Sequence, residues 1–310
     1  MIPDLSTDLA PGHKTGLLLD NPVMVASGTL SWGTEFARQL GQKQLDRLGA
    51  VVSKAVTLTP RAGNQQPRVA ETPGGMLNSI GLQNLGVDAV REDRAPIWAR
   101  WKVPVLVNIA GDRADDYIAV SESLDGVPGI SGFELNISCP NVDDGLEFGQ
   151  DPTAAASLTA AVVRRTDLPV VVKITPNVTD PSEVAVACVD AGASAICAIN
   201  TVLGMAIDTA KRKPVLARAR GGLSGPAIKP IALRIVYDVA SRVDVPVIGC
   251  GGVSSGVDAV EFLMAGASAV QVGTATFANP RAPLDVLDGL TEWLARESVK
   301  KVKDLVGVAL

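Results

Sequence analysis

Short apolar runs alternate with amphipathic segments along the whole chain. Eight of these runs are continuously hydrophobic, which is typical of strands that are buried on both faces in a parallel sheet. They lie at 22–27, 50–56, 104–109, 133–138, 170–174, 195–200, 247–250 and 269–273. Helical periodicity predicts a helix after each strand, at about 33–46, 87–100, 113–124, 152–165, 181–191, 227–242, 255–265 and 282–297.

An internal repeat supports this alternation. The sequence AGASA occurs at 191–195 and again at 265–269, each time after an amphipathic segment and before an apolar run. Gly192 and Gly266 fall where a helix C-cap needs a residue in the left-handed conformation. The repeat therefore indicates recurring helix–strand units.

Eight such units in 310 residues predict an α/β fold, a (β/α)8 TIM barrel, which needs roughly 250 residues. A doubly wound sheet is the alternative, but it would normally carry GxGxxG after its first strand, where this chain has ASGTLSWG. No linker divides the chain, so we predict one domain over residues 1–310. The extra residues form long loops after strands two, four and six, at 57–86, 139–151 and 201–226, on the face where barrel enzymes have their active sites.

Composition narrows the classes of function. A net charge of −5 gives no electrostatic reason to expect nucleic acid or an acidic membrane as a partner. Residues 1–20 lack signal-peptide features and no apolar stretch approaches a membrane span, so we expect a cytoplasmic protein. The four cysteines show no CxxC spacing, and we expect no disulfide, metal site or iron–sulfur cluster.

Polar side chains gather at the predicted strand ends. Burying such groups unpaired costs about 2–7 kcal/mol each, which a purely structural barrel would avoid. They are Lys54, Asn108, Asn136, Lys173, Asn200 and Thr201. The pattern predicts an active site, although some of these lysines could instead simply pair with carboxylates.

Glycines mark a second feature. Strand seven ends in Gly249, Gly251 and Gly252, strand eight ends in Gly273 and Thr274, and GGLSGP at 221–226 precedes helix six. Turns after strands seven and eight form the usual phosphate site of this barrel, because backbone N–H groups can approach a phosphate where side chains are absent. The glycines predict a cofactor that carries phosphate.

Cys139 directly follows strand four and opens a long loop, in a polar turn between Ser138 and Pro140. That placement suits a nucleophile or a proton acceptor. The other three thiols, at 188, 197 and 250, lie in apolar runs and are interpreted as small buried residues.

The motifs NISCPN (136–141), MLNSIGLQN (76–84), KITPNVTD (173–180), INTVLGMAID (199–208), GGLSGPAIKP (221–230), GCGGV (249–253) and MAGASAVQVGTA (264–275) occur in order along nearly the whole chain. Together they resemble the class 1 dihydroorotate dehydrogenases. IGLQN and LSGPAIKP are more similar to the class 1B catalytic subunit than to the fumarate-using class 1A enzymes. Leu85 departs from the proline that is usual there.

The resemblance implies oxidation of (S)-dihydroorotate to orotate on FMN, with Cys139 as the base. It implies a substrate site at Lys54, Asn78, Ser79, Ile80, Gly81, Leu82, Asn136, Asn200 and Thr201. For FMN it implies Ser27, Lys54, Ala55, Asn108, Asn136, Lys173, Ile199, Gly225, Gly251, Gly252, Gly273 and Thr274.

The resemblance also implies a partner subunit that carries FAD and a 2Fe–2S cluster and passes electrons to NAD+, around a homodimer of this chain. The chain has no cluster motif and no dinucleotide fingerprint, so it needs an outside acceptor. Three alternatives remain open: a class 1A enzyme that uses fumarate, a dihydropyrimidine dehydrogenase acting on uracil or thymine, and a non-catalytic flavin-binding scaffold.

Overall fold

A computed structural model describes residues 3–138 and 148–310, and within these residues eight parallel strands close into a barrel. In chain order they are β1 (Val23–Val25), β2 (Ala50–Val52), β3 (Val105–Ile109), β4 (Gly132–Asn136), β5 (Val170–Lys173), β6 (Ala195–Ala198), β7 (Val247–Cys250) and β8 (Ala267–Val272). Each strand pairs with the next one in sequence, and β8 returns to β1 through Val270 and Val23. The predicted (β/α)8 barrel is confirmed.

A helix follows each strand, so the described residues contain the eight predicted helices. They are α1 (Thr34–Leu40), α2 (Val87–Ala89, a π-helical turn Val90–Arg94, and Ala95–Trp98), α3 (Ala114–Leu124), α4 (Pro152–Val163), α5 (Pro181–Asp190), α6 (Lys229–Ala240), α7 (Gly256–Met264) and α8 (Ala282–Arg296). Their starts follow local rules. Asp151 and Asp180 cap α4 and α5 with proline at the first helical position, and Ser255 forms a capping box with Asp258.

Shorter helical segments complete the chain. They are Gln42–Leu45, Phe148–Gln150, Pro226–Ile228, Ala275–Ala278 and Val302–Leu305. Gly192 and Gly266 have φ of 100° and 105°, as the repeat predicts for residues that end a helix in the left-handed region. None of the helices in the part of the chain that the structure describes combines the length and apolarity of a membrane span.

The barrel interior is apolar at the amino ends of the strands. Met24, Leu106 and Ile248 pack there with Leu9, Leu17 and Leu19, which lie in or beside an antiparallel pair of two-residue strands, Thr7–Asp8 and Leu18–Leu19. This N-terminal hairpin therefore covers the amino end of the barrel.

The loops after β2 and β6 build a second, antiparallel sheet that the sequence did not predict. Its strands lie side by side in the order Val202–Met205, Arg220–Ser224, Gly75–Asn78 and Val69–Thr72. A further pair, Ile207–Asp208 with Lys213–Pro214, lies nearby in the loop after β6. Because Gly222 pairs with Asn78, the two loops form one body above the carboxyl ends of the barrel strands.

Six of the eight predicted strands extend too far at their carboxyl ends, and only those at 104–109 and 247–250 end where the structure ends them. β2 was predicted to reach residue 56, but its regular ladder ends at Val52. The N–H of Lys54 donates to the carbonyl of Ser31, 2.8 Å away, and the N–H of Val56 returns to β3 at Asn108. The hydrogen-bond ladder between β2 and β3 is therefore interrupted at Lys54, a predicted active-site residue.

We predict that Gly256→Ala destabilises the fold by about 1–3 kcal/mol, because it overpacks the contact between α7 and α8. A Cβ at Gly256 would lie 2.3 Å from the carbonyl carbon of Gly289. Urea unfolding measures the change. Gly289→Ala is the matched control, since its Cβ would meet only Gly256 atoms at 3.3 Å and alanine gains about 1 kcal/mol of helix propensity. Equal losses in the two variants would contradict the packing argument.

Candidate active site

The structure brings the predicted site residues to one end of the barrel. Those that follow or end strands are Ser27 after β1, Lys54 and Ala55 after β2, Asn108 in β3, Asn136 at the end of β4, Lys173 at the end of β5, Ile199, Asn200 and Thr201 after β6, Gly251 and Gly252 after β7, and Gly273 and Thr274 after β8. Asn78 to Leu82 and Gly225 come from the second sheet and its loops. This end of the barrel is the usual position of an active site.

The glycine turns form a cradle beside β7 and β8. A Cβ at Gly252 would lie 3.0 Å from the carbonyl oxygen of Gly225, and a Cβ at Gly225 would lie 2.8 Å from Gly75. The hydroxyl of Thr274 lies 2.8 Å from that of Ser224, next to Gly225. The turns before α6 and α7 thus meet the end of β8 where side chains are excluded, which suits a phosphate group.

An ion cluster connects the turn before α6 to the turn before α7. Lys229 donates to Asp258 and to Glu261, each at 2.6 Å. The other carboxylate oxygen of Asp258 accepts from the backbone N–H groups of Ser254 and Ser255 at 2.9 and 2.8 Å. Lys229 is therefore neutralised by its own neighbours, and the backbone N–H groups of Ser254 and Ser255 are occupied by Asp258.

A buried polar network lies deeper in the barrel. Glu134 is fully buried and accepts from Asn108 Nδ2 at 2.7 Å and from Gln271 Nε2 at 2.6 Å. Lys173 donates to Gln271 Oε1 at 3.0 Å and lies 3.8 Å from Glu134. The open alternative, that some lysines pair with carboxylates, therefore holds for Lys173.

One polar atom of this network has no partner. Asn108 is 1 % exposed, and its Oδ1 accepts no hydrogen bond from any described residue. A buried carbonyl oxygen left in this state costs about 1–3 kcal/mol, so the site is suited to a ligand that offers an N–H group.

Two thiols face Lys173 from β6 and β7. Cys197 and Cys250 are buried and free, as predicted, but Cys250 lies beside Lys173 and Cys197 rather than packing only against apolar groups. Burial raises the pKa of Cys197, whereas the hydrogen bond from Cys197, aided by the charge of Lys173, lowers that of Cys250. Burial alone would lower the pKa of Lys173, but Cys250 and Glu134 outweigh it and raise that pKa.

Lys54 supplies a second cation near the surface of the site. Burial lowers the pKa of its ammonium, and the positive charge of Arg68 lowers it further. Its side chain forms no ion pair with any residue in the described ranges. A half-buried cation of this kind is suited to bind an anionic ligand.

Amides from three strand ends lie together. Asn200 Nδ2 donates to Asn136 Oδ1 at 3.0 Å and to the hydroxyl of Ser138 at 3.1 Å. The N–H of Thr201 donates to Asn200 Oδ1 at 2.8 Å. Asn177, which sequence reasoning did not select, donates to the carbonyl of Thr201 and accepts from the N–H of Leu203, and so fixes the start of the loop after β6.

The segment from Asn78 to Leu82 reaches over the end of β2. Gly81 and Leu82 both have positive φ, 73° and 53°, which turns the chain sharply. Leu82 packs against Ala55, the neighbour of Lys54. Asn64 Nδ2 donates to the carbonyl and to the hydroxyl of Ser79 at 3.0 and 3.1 Å. The predicted substrate segment therefore lies beside Lys54.

Cys139 lies outside the described residues. A backbone hydrogen bond links the chain before and after 139–147, because the N–H of Gly149 donates to the carbonyl of Ile137 at 2.8 Å. Ser138, directly before Cys139 in the chain, is held by Asn200. The entry to the 139–147 segment is thus fixed within the amide cluster.

Comparisons with known proteins show the family of the chain. The sequence model of the dihydroorotate dehydrogenase family matches residues 13–294. The chain belongs to the dihydroorotate dehydrogenase family. It is 51% identical over 308 residues to a protein of Pelobacter propionicus and 49% identical over 309 residues to one of Geotalea uraniireducens, with 99% of both chains covered in each case. A Geobacter metallireducens relative is 49% identical over 98% of each chain. All three are named dihydroorotate dehydrogenase B (NAD(+)), catalytic subunit.

This member of the dihydroorotate dehydrogenase family is an oxidoreductase. Two buried residues of its candidate site were not predicted from the sequence. Glu134 and Gln271 lie within the apolar strands β4 and β8. Glu134 is two residues before Asn136 and so lies on the same face of β4. A buried lysine in β5 needs a counter-charge, and that requirement was the signal that could have identified Glu134.

For this family member we predict that Asp258→Asn lowers the unfolding free energy by about 1–3 kcal/mol at pH 7. Burial acts to raise the pKa of Asp258, but hydrogen bonds from Lys229 and Ser254 outweigh it and lower that pKa. The stabilisation is therefore present above the ordinary value of about 3.9 and is lost as the pH falls through the lowered folded value.

Urea unfolding at pH 7 and pH 3 tests this sign. The difference between the wild type and Asp258→Asn should shrink at pH 3. The exposed Asp20→Asn change controls for loss of one negative charge. A difference that stays constant or grows on acidification would contradict the role of the ionised carboxylate.

Proposed function

We propose that this chain is the catalytic subunit of an NAD+-linked dihydroorotate dehydrogenase, which oxidises (S)-dihydroorotate to orotate in the cytoplasmic synthesis of UMP. The observation that carries the proposal is identity of about half of the residues, over 98–99% of both chains, with proteins named for that activity. The site supports it, because a phosphate cradle, two cations and a cluster of amides lie together at one end of the barrel.

The residues present fit FMN. The turns at Gly225, Gly252, Gly273 and Thr274 would hold its phosphate, with Gly251 supporting them from the side of α6. The unpartnered Oδ1 of Asn108 is suited to accept from the ring N–H. Ser27, Lys54, Ala55, Asn136, Lys173 and Ile199 would border the ring from the remaining strand ends. Bound FMN would supply the acceptor for hydride at its N5 atom.

The substrate has a carboxylate and a planar ring with several amide groups, and the chain offers matching partners for each. The Lys54 ammonium would bind the carboxylate, together with backbone groups of Ser79, Ile80, Gly81 and Leu82. Asn78, Asn136, Asn200 and Thr201 would hold the ring amides. Asn200 is already oriented by Asn136 and Ser138, so little ordering is needed when the substrate binds.

Cys139 would act as the base. Its thiolate takes the proton from C5 as hydride leaves C6, so that the C5=C6 double bond of orotate forms. A thiol near its ordinary pKa of about 8.5 is mostly protonated at neutral pH, so the rate of this step should rise with pH toward that value.

Electrons would leave through a partner subunit that carries FAD and a 2Fe–2S cluster and reduces NAD+, with a homodimer of this chain at the centre of a heterotetramer. The relatives' name, which pairs NAD(+) with a catalytic subunit, supports a separate electron-transfer subunit. The sequence itself carries no GxGxxG turn after its first strand and no cysteine cluster motif.

The direct test is to mix the FMN-loaded chain anaerobically with dihydroorotate and to follow the absorbance of the oxidised flavin. We expect rapid bleaching that NAD+ alone does not reverse. Rapid recovery of colour with fumarate would instead favour a class 1A enzyme. Bleaching by dihydrouracil and not by dihydroorotate would replace the substrate assignment, and no bleaching by either compound would favour a non-catalytic scaffold.

A second prediction concerns the base. Cys139→Ala should leave FMN bound but slow flavin reduction by dihydroorotate about 10²–10⁴-fold, which is the usual loss when a general base is removed. Stopped-flow absorbance measures the rate. Cys188→Ala is the matched control, because Cys188 is a buried thiol in α5 and not at a strand end. A Cys139→Ala rate equal to that of the control would exclude Cys139 as the base.

A further inference from the structure

Glu134 carries a buried charge that the proposed reaction does not use directly. We propose that Glu134 is a positioning residue, which keeps Lys173 as an ammonium facing the flavin and orients the side-chain amides of Asn108 and Gln271. This inference rests on the proposed function, because it assigns Glu134 a role toward bound FMN. Its basis is the buried network that joins β3, β4, β5 and β8.

The carboxylate determines which way both amides point. Carboxylate oxygens only accept hydrogen bonds, so the neighbouring amides must present their NH₂ groups to Glu134. Asn108 Nδ2 and Gln271 Nε2 do so at 2.7 and 2.6 Å. Their carbonyl oxygens consequently point away from Glu134. Gln271 Oε1 accepts from Lys173, and Asn108 Oδ1 is left for the ligand.

The same carboxylate sustains the charge of Lys173. A lysine buried without a counter-charge can titrate near pH 5–6, because burial disfavours the ammonium. Lys173 is 6 % exposed, and its Nζ lies 3.8 Å from Glu134. Glu134 thus opposes the loss of the proton that burial would cause.

Other titratable groups also face Lys173, and they define the controls. Cys197 comes from β6 and Cys250 from β7. Burial raises the pKa of Cys197, so this thiol supplies no negative charge at neutral pH. The pKa of Cys250 is lowered by its hydrogen bond to Cys197, so Cys250 is the other group in the described ranges that could balance Lys173. Cys250→Ala therefore has to be combined with the Glu134 variant.

The charge of Lys173 matters because the flavin ring gains negative charge when it takes up hydride. A fixed ammonium stabilises that charge without rearranging during the reaction. If Lys173 were neutral at the pH of the reaction, the ring would be harder to reduce. Glu134 would therefore keep Lys173 protonated throughout the working pH range, so that loss of its proton never lowers the reduction potential of the flavin.

The test is the midpoint potential of bound FMN in Glu134→Gln/Cys250→Ala, measured by dye-coupled titration from pH 6 to pH 9 and compared with Cys250→Ala alone. We expect the equilibrium constant for flavin reduction, divided by that of Cys250→Ala at the same pH, to fall by up to about tenfold for each pH unit of increase. The reason is that uptake of one proton by Lys173 becomes linked to reduction of the flavin. The fall should end at the midpoint potential of Lys173→Met. The difference in midpoint potential between Lys173→Met and the reference is expected to be the same at every pH.

Two results would overturn the inference. One is an offset in Glu134→Gln/Cys250→Ala that is equal at every pH, which would mean that Glu134 acts on packing and not on the charge of Lys173. The other is a potential that follows that of Cys250→Ala throughout, which would mean that Glu134 has no effect on the flavin.

A stability measurement keeps the test decisive if the Glu134 variant folds poorly. Removing one member of a buried ion pair leaves an unpaired charge, whereas removing both members does not. In the Cys250→Ala background, Glu134→Gln/Lys173→Met should therefore unfold at a higher urea concentration than Glu134→Gln. Absence of this rescue would contradict the charge pairing.

The two proposals fail in different ways. If the wild type holds FMN and is bleached by dihydroorotate, but the Glu134 variants show no pH-dependent offset, only this inference fails. If the wild type is not bleached by dihydroorotate, the proposed function fails, while the urea comparison still tests the pairing of Glu134 with Lys173.

Discussion

Water does not reach the interior of an eight-stranded barrel, so every polar side chain that points inward has to find its partner there. At the amino ends of the strands this chain meets the constraint with apolar residues and the leucines of the N-terminal hairpin. At the carboxyl ends polar groups pair around Glu134, and one acceptor of this network, Asn108 Oδ1, is left without a partner among the described residues. That network joins four strands and supports both the packing of the barrel and the charge of Lys173.

The second sheet gives the two proposed ligand sites a common support. Gly222 pairs with Asn78, where the proposed substrate segment begins, and Gly225 follows the same strand into the proposed phosphate cradle. The strands approach so closely that a Cβ at Gly75 would lie 2.0 Å from the carbonyl oxygen of Ser224. A shift of this sheet would therefore move the substrate segment and the cradle together.

Periodicity was enough to predict the barrel, because each buried strand and each amphipathic helix satisfies its pattern locally. It was not enough to predict the second sheet. The strands Gly75–Asn78 and Arg220–Ser224 are rich in glycine and lack alternation, and they form only because two loops distant in sequence meet above the barrel. Glu134 and Gln271 were missed for a related reason, since their meaning depends on partners from other strands. The site residues that position alone predicted end or directly follow barrel strands, whereas Asn78 to Leu82 were predicted only through the family resemblance.

The base and the cation of the proposed reaction make opposite demands. A base has to gain and lose its proton in every turnover, whereas Lys173 has to keep its proton in a buried position. Different residues of the chain meet these two demands, and a short series of hydrogen bonds and strand pairings connects them. Ser138, next to Cys139, is held by Asn200, which also bonds to Asn136, the residue in register with Lys173. The backbone that leads to the proposed base and the ammonium of Lys173 therefore belong to adjacent strands, β4 and β5, so the barrel that keeps the cation buried also fixes where the loop of the base begins.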